Sequence, residues 1–350
     1  MIVTFVLATA TLMSLTLSAE ETPSPQPVSR ERLTDAVSRG LKVVERAARN
    51  YPEHRECFAC HHQTVPLAAM REARRIGLKV DETLFGDTQT FVRRYFSDRV
   101  DALEEGKGIP GRAFMVGYGA WAFELADVEM PHDLRRAMAQ YVIRRQESDG
   151  RWTPAAIRPP AEQSEVTNTA LALRVLRPKG RAVPFDLDPE WSVTAEAAER
   201  HARQWLDTAP AKLQEDLVFR LWSLSWFGDE LHQHDGVVRR IIERQQADGG
   251  WAAEEGLGSE AYSTGLTLFA LLDTGASPGL PPIERGIKYL ARTQQADGSW
   301  LVATRAKPVQ VFFDNGDPHG KNQFISISAT GWSVAALARF ISDTQPETKP

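Results

Sequence analysis

The sequence predicts an all-α fold, an (α/α)6 ring of six helical hairpins, from three observations. First, the phrase RRQESDGRW at 144–152 recurs as ERQQADGGW at 243–251 and RTQQADGSW at 292–300. The spacings of 99 and 49 residues between them give a unit of about 49 residues. Second, a helix rich in Ala, Gly, Ser and Thr follows each phrase, as expected of closely packed inner helices. Third, no segment has a convincing β-strand pattern.

The hairpins follow one another along the chain, each with an outer helix, a loop and an inner helix. Gly150, Gly249 and Gly298 end three outer helices, since glycine readily takes the left-handed conformation that stops a helix. An open solenoid would share much of this pattern, but six hairpins with small-residue inner helices favour closure. The predicted pairs are 31–50 with 63–77, 88–105 with 113–127, 132–147 with 166–177, 194–208 with 214–227, 235–247 with 261–274, and 283–296 with 326–341.

Composition and the first residues indicate an exported globular protein. The 350 residues carry a net charge of −5, which argues against nucleic acid or anionic lipid as the main partner. Residues 1–19 are uncharged and apolar and end in Leu17-Ser18-Ala19, which predicts a signal peptide and a periplasmic or extracellular location. An uncleaved anchor is the alternative, and it would be the only membrane contact. A disordered linker at 20–30, the ring at 31–342 and a disordered tail at 343–350 complete the predicted organisation.

One repeat carries a family resemblance. RGIKYLARTQQADGSW at 285–300 resembles the QW motif of squalene–hopene and oxidosqualene cyclases. The resemblance implies the α/α-toroid that terpenoid cyclases share with protein prenyltransferases. It also implies structural roles for Gln294 and Trp300, and for the corresponding Gln146 with Trp152 and Gln245 with Trp251. The cyclases' Asp-rich acid motif and second toroid are absent from the sequence, so the resemblance extends to the fold and not to cyclase chemistry.

A short motif in the first hairpin predicts a cofactor. Cys57-x-x-Cys60-His61 is the c-type haem attachment signature, in which the thiols form thioethers and the histidine binds the iron. We therefore predict covalent haem c, with His61 as a metal ligand. The alternatives are a disulfide, a thioredoxin-like redox pair, and a zinc site with His61 and His62.

The loop of the sixth hairpin, 301–324, is the longest of the six hairpin loops. It should lie beside the first hairpin if the ring closes. It would bring Asp314, Asp317, His319 and Lys321 close to Cys57–His62. We predict His319 as a second iron ligand or distal group, and Lys321 as the partner of a haem propionate. The alternative is a cluster of turns formed by Asp and Asn.

The remaining candidates would line a cavity inside the ring. Tyr118 and Trp121 lie in the Gly-rich stretch GYGAW, Trp332 lies on an inner helix, and Glu162 and Glu165 precede another. The main functional hypothesis is redox or electron transfer through haem c with a redox partner, and an apolar or isoprenoid-like ligand in the ring. The alternatives are a terpenoid cyclase or prenyltransferase-type enzyme, a polysaccharide lyase or hydrolase using Glu162, Glu165 or Asp317, and a non-catalytic binding scaffold.

Overall fold

A computed structural model describes residues 28–177, 189–227, 231–308 and 311–345. The predicted signal peptide, most of the predicted linker and the last five residues of the predicted tail lie outside these ranges. The all-α prediction is confirmed, and the described residues contain no β-strand. Their helices are α1 (Arg30–His54), α2 (Thr64–Arg75), α3 (Glu82–Ser97), α4 (Val100–Glu104), α5 (Arg112–Leu125), α6 (His132–Arg144), α7 (Glu165–Leu176), α8 (Pro189–Thr208), α9 (Gln214–Phe227), α10 (Leu231–Glu243), α11 (Ala261–Asp273), α12 (Pro281–Thr293) and α13 (Gln323–Asp343).

The inner helices form a closed ring. In ring order they are α2, α5, α7, α9, α11 and α13; each packs on the next, and α13 packs on α2. The prediction of a single helix over 88–105 was wrong, because this segment divides into α3 and the short α4. Helix α3 begins earlier than predicted because Asp81 caps it, accepting a hydrogen bond from the Leu84 amide at 3.0 Å.

The three repeated phrases form the same turn. Each tryptophan Nε1 donates to a carbonyl of its own outer helix, at distances of 2.7–3.0 Å. Each glutamine Nε2 donates both to the glycine carbonyl of its turn and to a carbonyl at or within the next outer helix. The Gln294 bond, to the Ala36 carbonyl of α1, spans the closure between the sixth and first hairpins. Glutamine therefore links neighbouring hairpins, whereas tryptophan fixes the turn to its own outer helix.

Close packing explains the composition of the inner helices. A Cβ atom on Gly331 of α13 would lie 2.4 Å from Val65 of α2, so only glycine permits this approach. Residues 320–343 are long and apolar enough to cross a membrane, the only such stretch in the described ranges, but 83% of that window is buried. Its apolar composition follows from its position as an inner helix.

An aromatic layer fills the middle of the ring. Neighbouring members have ring centroids 4.9–6.3 Å apart, and all six side chains are buried. The layer separates an amino-terminal mouth, where the inner helices begin, from a carboxyl-terminal mouth, where they end. Its members are Tyr118, Trp121, Phe219, Trp222, Phe269 and Trp332.

Candidate active site at the amino-terminal mouth

A carboxyl group lies at the centre of the amino-terminal mouth. Glu215, in the first turn of α9, is 4% exposed, and its Oε1 accepts a hydrogen bond from the Tyr262 hydroxyl of α11 at 3.1 Å. Burial raises the pKa of Glu215 to about 8, and Asp216 and Glu162 push it in the same direction. The Tyr262 hydroxyl favours the charged form but is outweighed. Glu215 is therefore mostly protonated at neutral pH.

Groups from several sides of the ring surround this carboxyl. Burial, and then the carboxyls of Glu162 and Glu215, raise the pKa of the Cys60 thiol, which stays protonated. Burial, followed by Cys60 and Glu215, raises the pKa of Tyr118. These side chains come from α5, α9, α11 and the loops before α2 and α7, so they converge on the ring axis. We call Cys60, Tyr118, Glu162, Glu215 and Tyr262 the central acid cluster.

Glu162 is the second carboxyl of the cluster, and its setting differs. Its side chain is 8% exposed and lies 3.1 Å from Nη1 of Arg158. Burial raises the pKa of Glu162, whereas the Arg158 guanidinium lowers it. Its backbone has a φ of 38°, a left-handed conformation that is costly outside glycine and clusters at functional sites. The amino-terminal mouth thus contains two carboxyls in different settings: Glu162 beside the Arg158 guanidinium, and the neutral Glu215.

The mouth also buries polar atoms that the protein leaves unpaired. His62 Nδ1, Asn168 Oδ1 and Gln214 Oε1 are buried without a hydrogen-bond partner among the described residues. Burying such atoms unpaired costs roughly 1–3 kcal/mol each, so water or a polar ligand is the natural partner. The lining therefore suits a molecule rich in hydrogen-bonding groups.

The Cys-x-x-Cys-His motif borders this cluster. Both thiols are free, and the Cys57 Sγ lies 3.2 Å from the Tyr51 hydroxyl, whereas the Cys60 Sγ lies 3.8 Å from Nδ1 of His61. Burial, and then Arg158, lower the pKa of His61 to about 4, so its imidazole is neutral at pH 7, the form that binds metals. Within the described ranges no three His, Cys, Asp or Glu side chains are grouped to hold a metal ion.

The long loop of the sixth hairpin lies against the first hairpin, but through other side chains than those predicted. Nε2 of His62 lies 2.9 Å from the Asn315 amide nitrogen, and Phe313 packs on Tyr51. His319 instead lies 2.7 Å from the Ser299 hydroxyl, in the turn after α12. Lys321 is exposed to solvent. The ligand roles of His61 and His319 and the propionate role of Lys321 stay predictions.

The acidic candidates outside the cluster make local contacts. Asp314 Oδ1 accepts a hydrogen bond from the Gly316 amide at 2.8 Å, and Asp317 Oδ1 accepts one from the His319 amide at 3.0 Å. Burial raises the pKa of Asp317 to about 7. Glu165 pairs with Arg151 at 3.2 Å and is 45% exposed, at the rim of the mouth. Asp314 and Asp317 thus make the hydrogen bonds of turn residues, which the alternative interpretation of this loop describes.

Two residues of the central acid cluster were missed in the sequence. Glu215 and Tyr262 carry no motif, and the hairpin that contains Glu215 has no copy of the repeated phrase. The one available signal was the acidic pair Glu215-Asp216 at the start of a small, otherwise apolar inner helix. Acidic residues are common in the first turn of any helix, so that signal is weak.

Comparison with known proteins shows the fold. No protein-family model and no curated protein sequence matches the chain. A wild-type glycosidase structure is similar at 12% identity and a TM-score of 0.59, covering 89% of this chain and 97% of its own. The type II terpene cyclase MstE from Scytonema has 12% identity and a TM-score of 0.54, with 90% and 99% covered. A possible member of the GH105 family from Salmonella enterica has 11% identity and a TM-score of 0.53, with 95% and 99% covered.

Proposed function

We propose that this protein is an enzyme that cleaves glycosidic bonds at the amino-terminal mouth, with Glu215 as the proton donor. The observation that supports it is a carboxyl buried at the amino-terminal mouth, 4% exposed and hydrogen-bonded to the Tyr262 hydroxyl at 3.1 Å; this burial raises its pKa to about 8, which favours the protonated form at neutral pH. A protonated acid in a buried site is what leaving-group protonation requires. This is the polysaccharide lyase or hydrolase alternative considered from the sequence; Glu162 keeps a role in it, and Glu215 replaces Glu165 and Asp317.

The lining of the mouth favours a hydroxylated substrate over an isoprenoid one. An apolar chain would leave His62 Nδ1, Asn168 Oδ1 and Gln214 Oε1 unpaired, whereas sugar hydroxyls pair with such atoms. Two of the similar structures are a glycosidase and a possible member of the GH105 family, which supports this substrate class at the level of the fold.

The proposed hydrolysis uses the two carboxyls in different roles. Glu215 gives its proton to the glycosidic oxygen as the bond from that oxygen to the anomeric carbon breaks. Water adds to the anomeric carbon, and Glu162, held beside Arg158, accepts the water's proton. Because the acid must be protonated, activity should fall as the pH rises through about 8.

The test is product analysis with the full chain on mixed neutral and uronic-acid oligosaccharides. We expect cleavage, and a loss of roughly 10²–10⁴-fold in rate for Glu215→Gln, the usual contribution of a general acid. Glu165→Gln, at the rim, is the matched control and should keep most of the rate. Turnover of squalene instead of any oligosaccharide, or an unchanged rate in Glu215→Gln, would contradict the proposal.

A second candidate function is haem c binding with a redox role. Both thiols are free and half-buried and the His61 imidazole is neutral, so the donor chemistry fits the group. Cys57 and Cys60 would form the thioethers and His61 would bind the iron, and the haem would supply one-electron chemistry to a redox partner. Production with a cytochrome c maturation system tests it: an intact mass increased by one haem supports it, and an unmodified mass with a negative haem stain removes it.

A further inference from the structure

The carboxyl-terminal mouth contains a cavity that the proposed function does not use. Its volume is about 580 Å³, within the usual range for small-molecule sites. Trp121 and Phe269 of the aromatic layer line it on the inner side, and Arg71, Glu124, Arg174 and Asp273 contribute charged groups. The aromatic layer separates this cavity from the central acid cluster.

Arg174 is the unusual group in this wall. It is 4% exposed, and its guanidinium lies between Trp121 and Trp226, at 4.4 and 4.5 Å from the two ring centroids. Nη2 contacts the Glu124 carboxylate at 2.5 Å. Nε and Nη1 have no hydrogen-bond partner within the described ranges. A buried guanidinium with unpaired donors is costly, which points to an acceptor supplied by a ligand.

The charged lining also includes Asp127, Glu129 and Arg135; most of its carboxylates are already engaged, Glu129 by Arg135 at 3.7 Å, whereas a second arginine is available. Glu124 pairs with Arg174, and Asp273 accepts from Trp222 Nε1 at 3.2 Å and lies 3.5 Å from Arg339. Arg71 is exposed at the edge of the cavity and forms no ion pair or hydrogen bond with a described residue. Arg71 and the unpaired Nε and Nη1 of Arg174 are thus left for a ligand, with the exposed Asp127 as the one unengaged carboxylate of the described lining.

We propose that the carboxyl-terminal mouth is a second binding site, for an organic carboxylate with a flat apolar body. The carboxylate would accept hydrogen bonds from Arg174 and Arg71, and the apolar body would pack against Trp121 and Phe269, the two members of the aromatic layer that line the cavity. A cationic ligand is disfavoured because Arg174 already occupies the face of Trp121 and would repel it.

Titration calorimetry with 2-naphthoate, 2-naphthamide and 2-naphthylmethylamine tests this site in the full chain. We expect naphthoate to bind and to change the tryptophan fluorescence, with the neutral amide roughly tenfold weaker or more and the amine weaker still. Arg71→Gln should weaken naphthoate binding by roughly tenfold. Arg75→Gln, one turn further along α2 and outside the cavity lining, is the matched control and should leave binding unchanged.

Arg174→Lys keeps the charge and loses the forked geometry, so naphthoate binding should drop by more than the Arg71→Gln loss. If Arg174→Lys fails to fold, Arg71→Gln still tests the site, because Arg71 is exposed and its replacement should not disturb folding. Equal binding of naphthoate and naphthamide, no binding of naphthoate, or naphthoate binding unchanged in Arg71→Gln would each overturn the proposal.

Discussion

The two mouths of the ring are built on the same six helices, yet they treat buried charge in opposite ways. At the carboxyl-terminal mouth, the carboxyl of Glu124 meets a cation, the Arg174 guanidinium, 2.5 Å away. At the amino-terminal mouth, Glu215 faces a hydroxyl and a thiol and becomes neutral. Helix amino termini favour carboxylates, so helix dipoles alone would predict an ionised Glu215. The comparison shows that, for Glu215, the effect of burial on the pKa is larger than the effect of the helix dipole.

The largest expected difference between the mouths is in stability. Glu124→Gln removes the carboxylate that pairs with the buried Arg174 guanidinium, which leaves Asp273 as its remaining counter-charge, and should lower the free energy of unfolding by about 3 kcal/mol. Glu215→Gln replaces a neutral acid by a neutral amide of the same shape and should change it by less than about 1 kcal/mol at pH 6. Urea unfolding of both variants measures the contrast. Equal losses would mean that the two carboxyls are held in the same way.

The second effect is the pH dependence of stability. Because the folded pKa of Glu215, about 8, lies above its ordinary value, Glu215 stabilises the fold fully below pH 4.5. That contribution is lost as the pH rises through about 8. We expect wild type to lose about 2 kcal/mol relative to Glu215→Gln between pH 5 and pH 9, less than the full shift implies because an ionising carboxyl recruits water. If the free energy of unfolding of the two proteins had the same dependence on pH, the claim that Glu215 is a neutral acid would be contradicted.

The smallest effect concerns the Ser164 cap of α7 at the amino-terminal mouth. The Ser164 hydroxyl accepts from the Thr167 amide at 3.0 Å and contacts the Asp216 carboxylate, joining the starts of α7 and α9. Ser164→Ala should cost about 1 kcal/mol of unfolding free energy. Ser29→Ala, which removes an exposed cap of α1, is the control and should cost less. A Ser164→Ala loss as large as that of Glu124→Gln would remove the distinction between the mouths.

The fold was predictable because its signals are periodic and local. The glutamine, glycine and tryptophan of the repeated phrase report a turn that the chain builds three times, and small residues such as Gly331 report close helix contacts. The early start of α3 was missed because it depends on the cap that Asp81 provides. Such shifts depend on single side chains rather than on a repeat.

The site was less predictable because ring closure creates it. Closure placed the long loop beside the first hairpin, as expected, but the polar contact to that loop is made by His62, through Asn315, while His61 contacts it only through the Phe324 ring. Glu215 becomes unusual only when five elements surround it. Burial of that kind arises from tertiary structure and leaves no local pattern in the sequence.

The central claim is that Glu215 is a neutral carboxylic acid at neutral pH, and infrared difference spectroscopy tests it without a substrate. The carbonyl band of a protonated carboxyl should be present in wild type at pH 6, titrate near pH 8, and be missing from Glu215→Gln. A wild-type spectrum identical to that of Glu215→Gln at pH 6, or a Glu215 band that disappears near the ordinary glutamate pKa, would contradict the account.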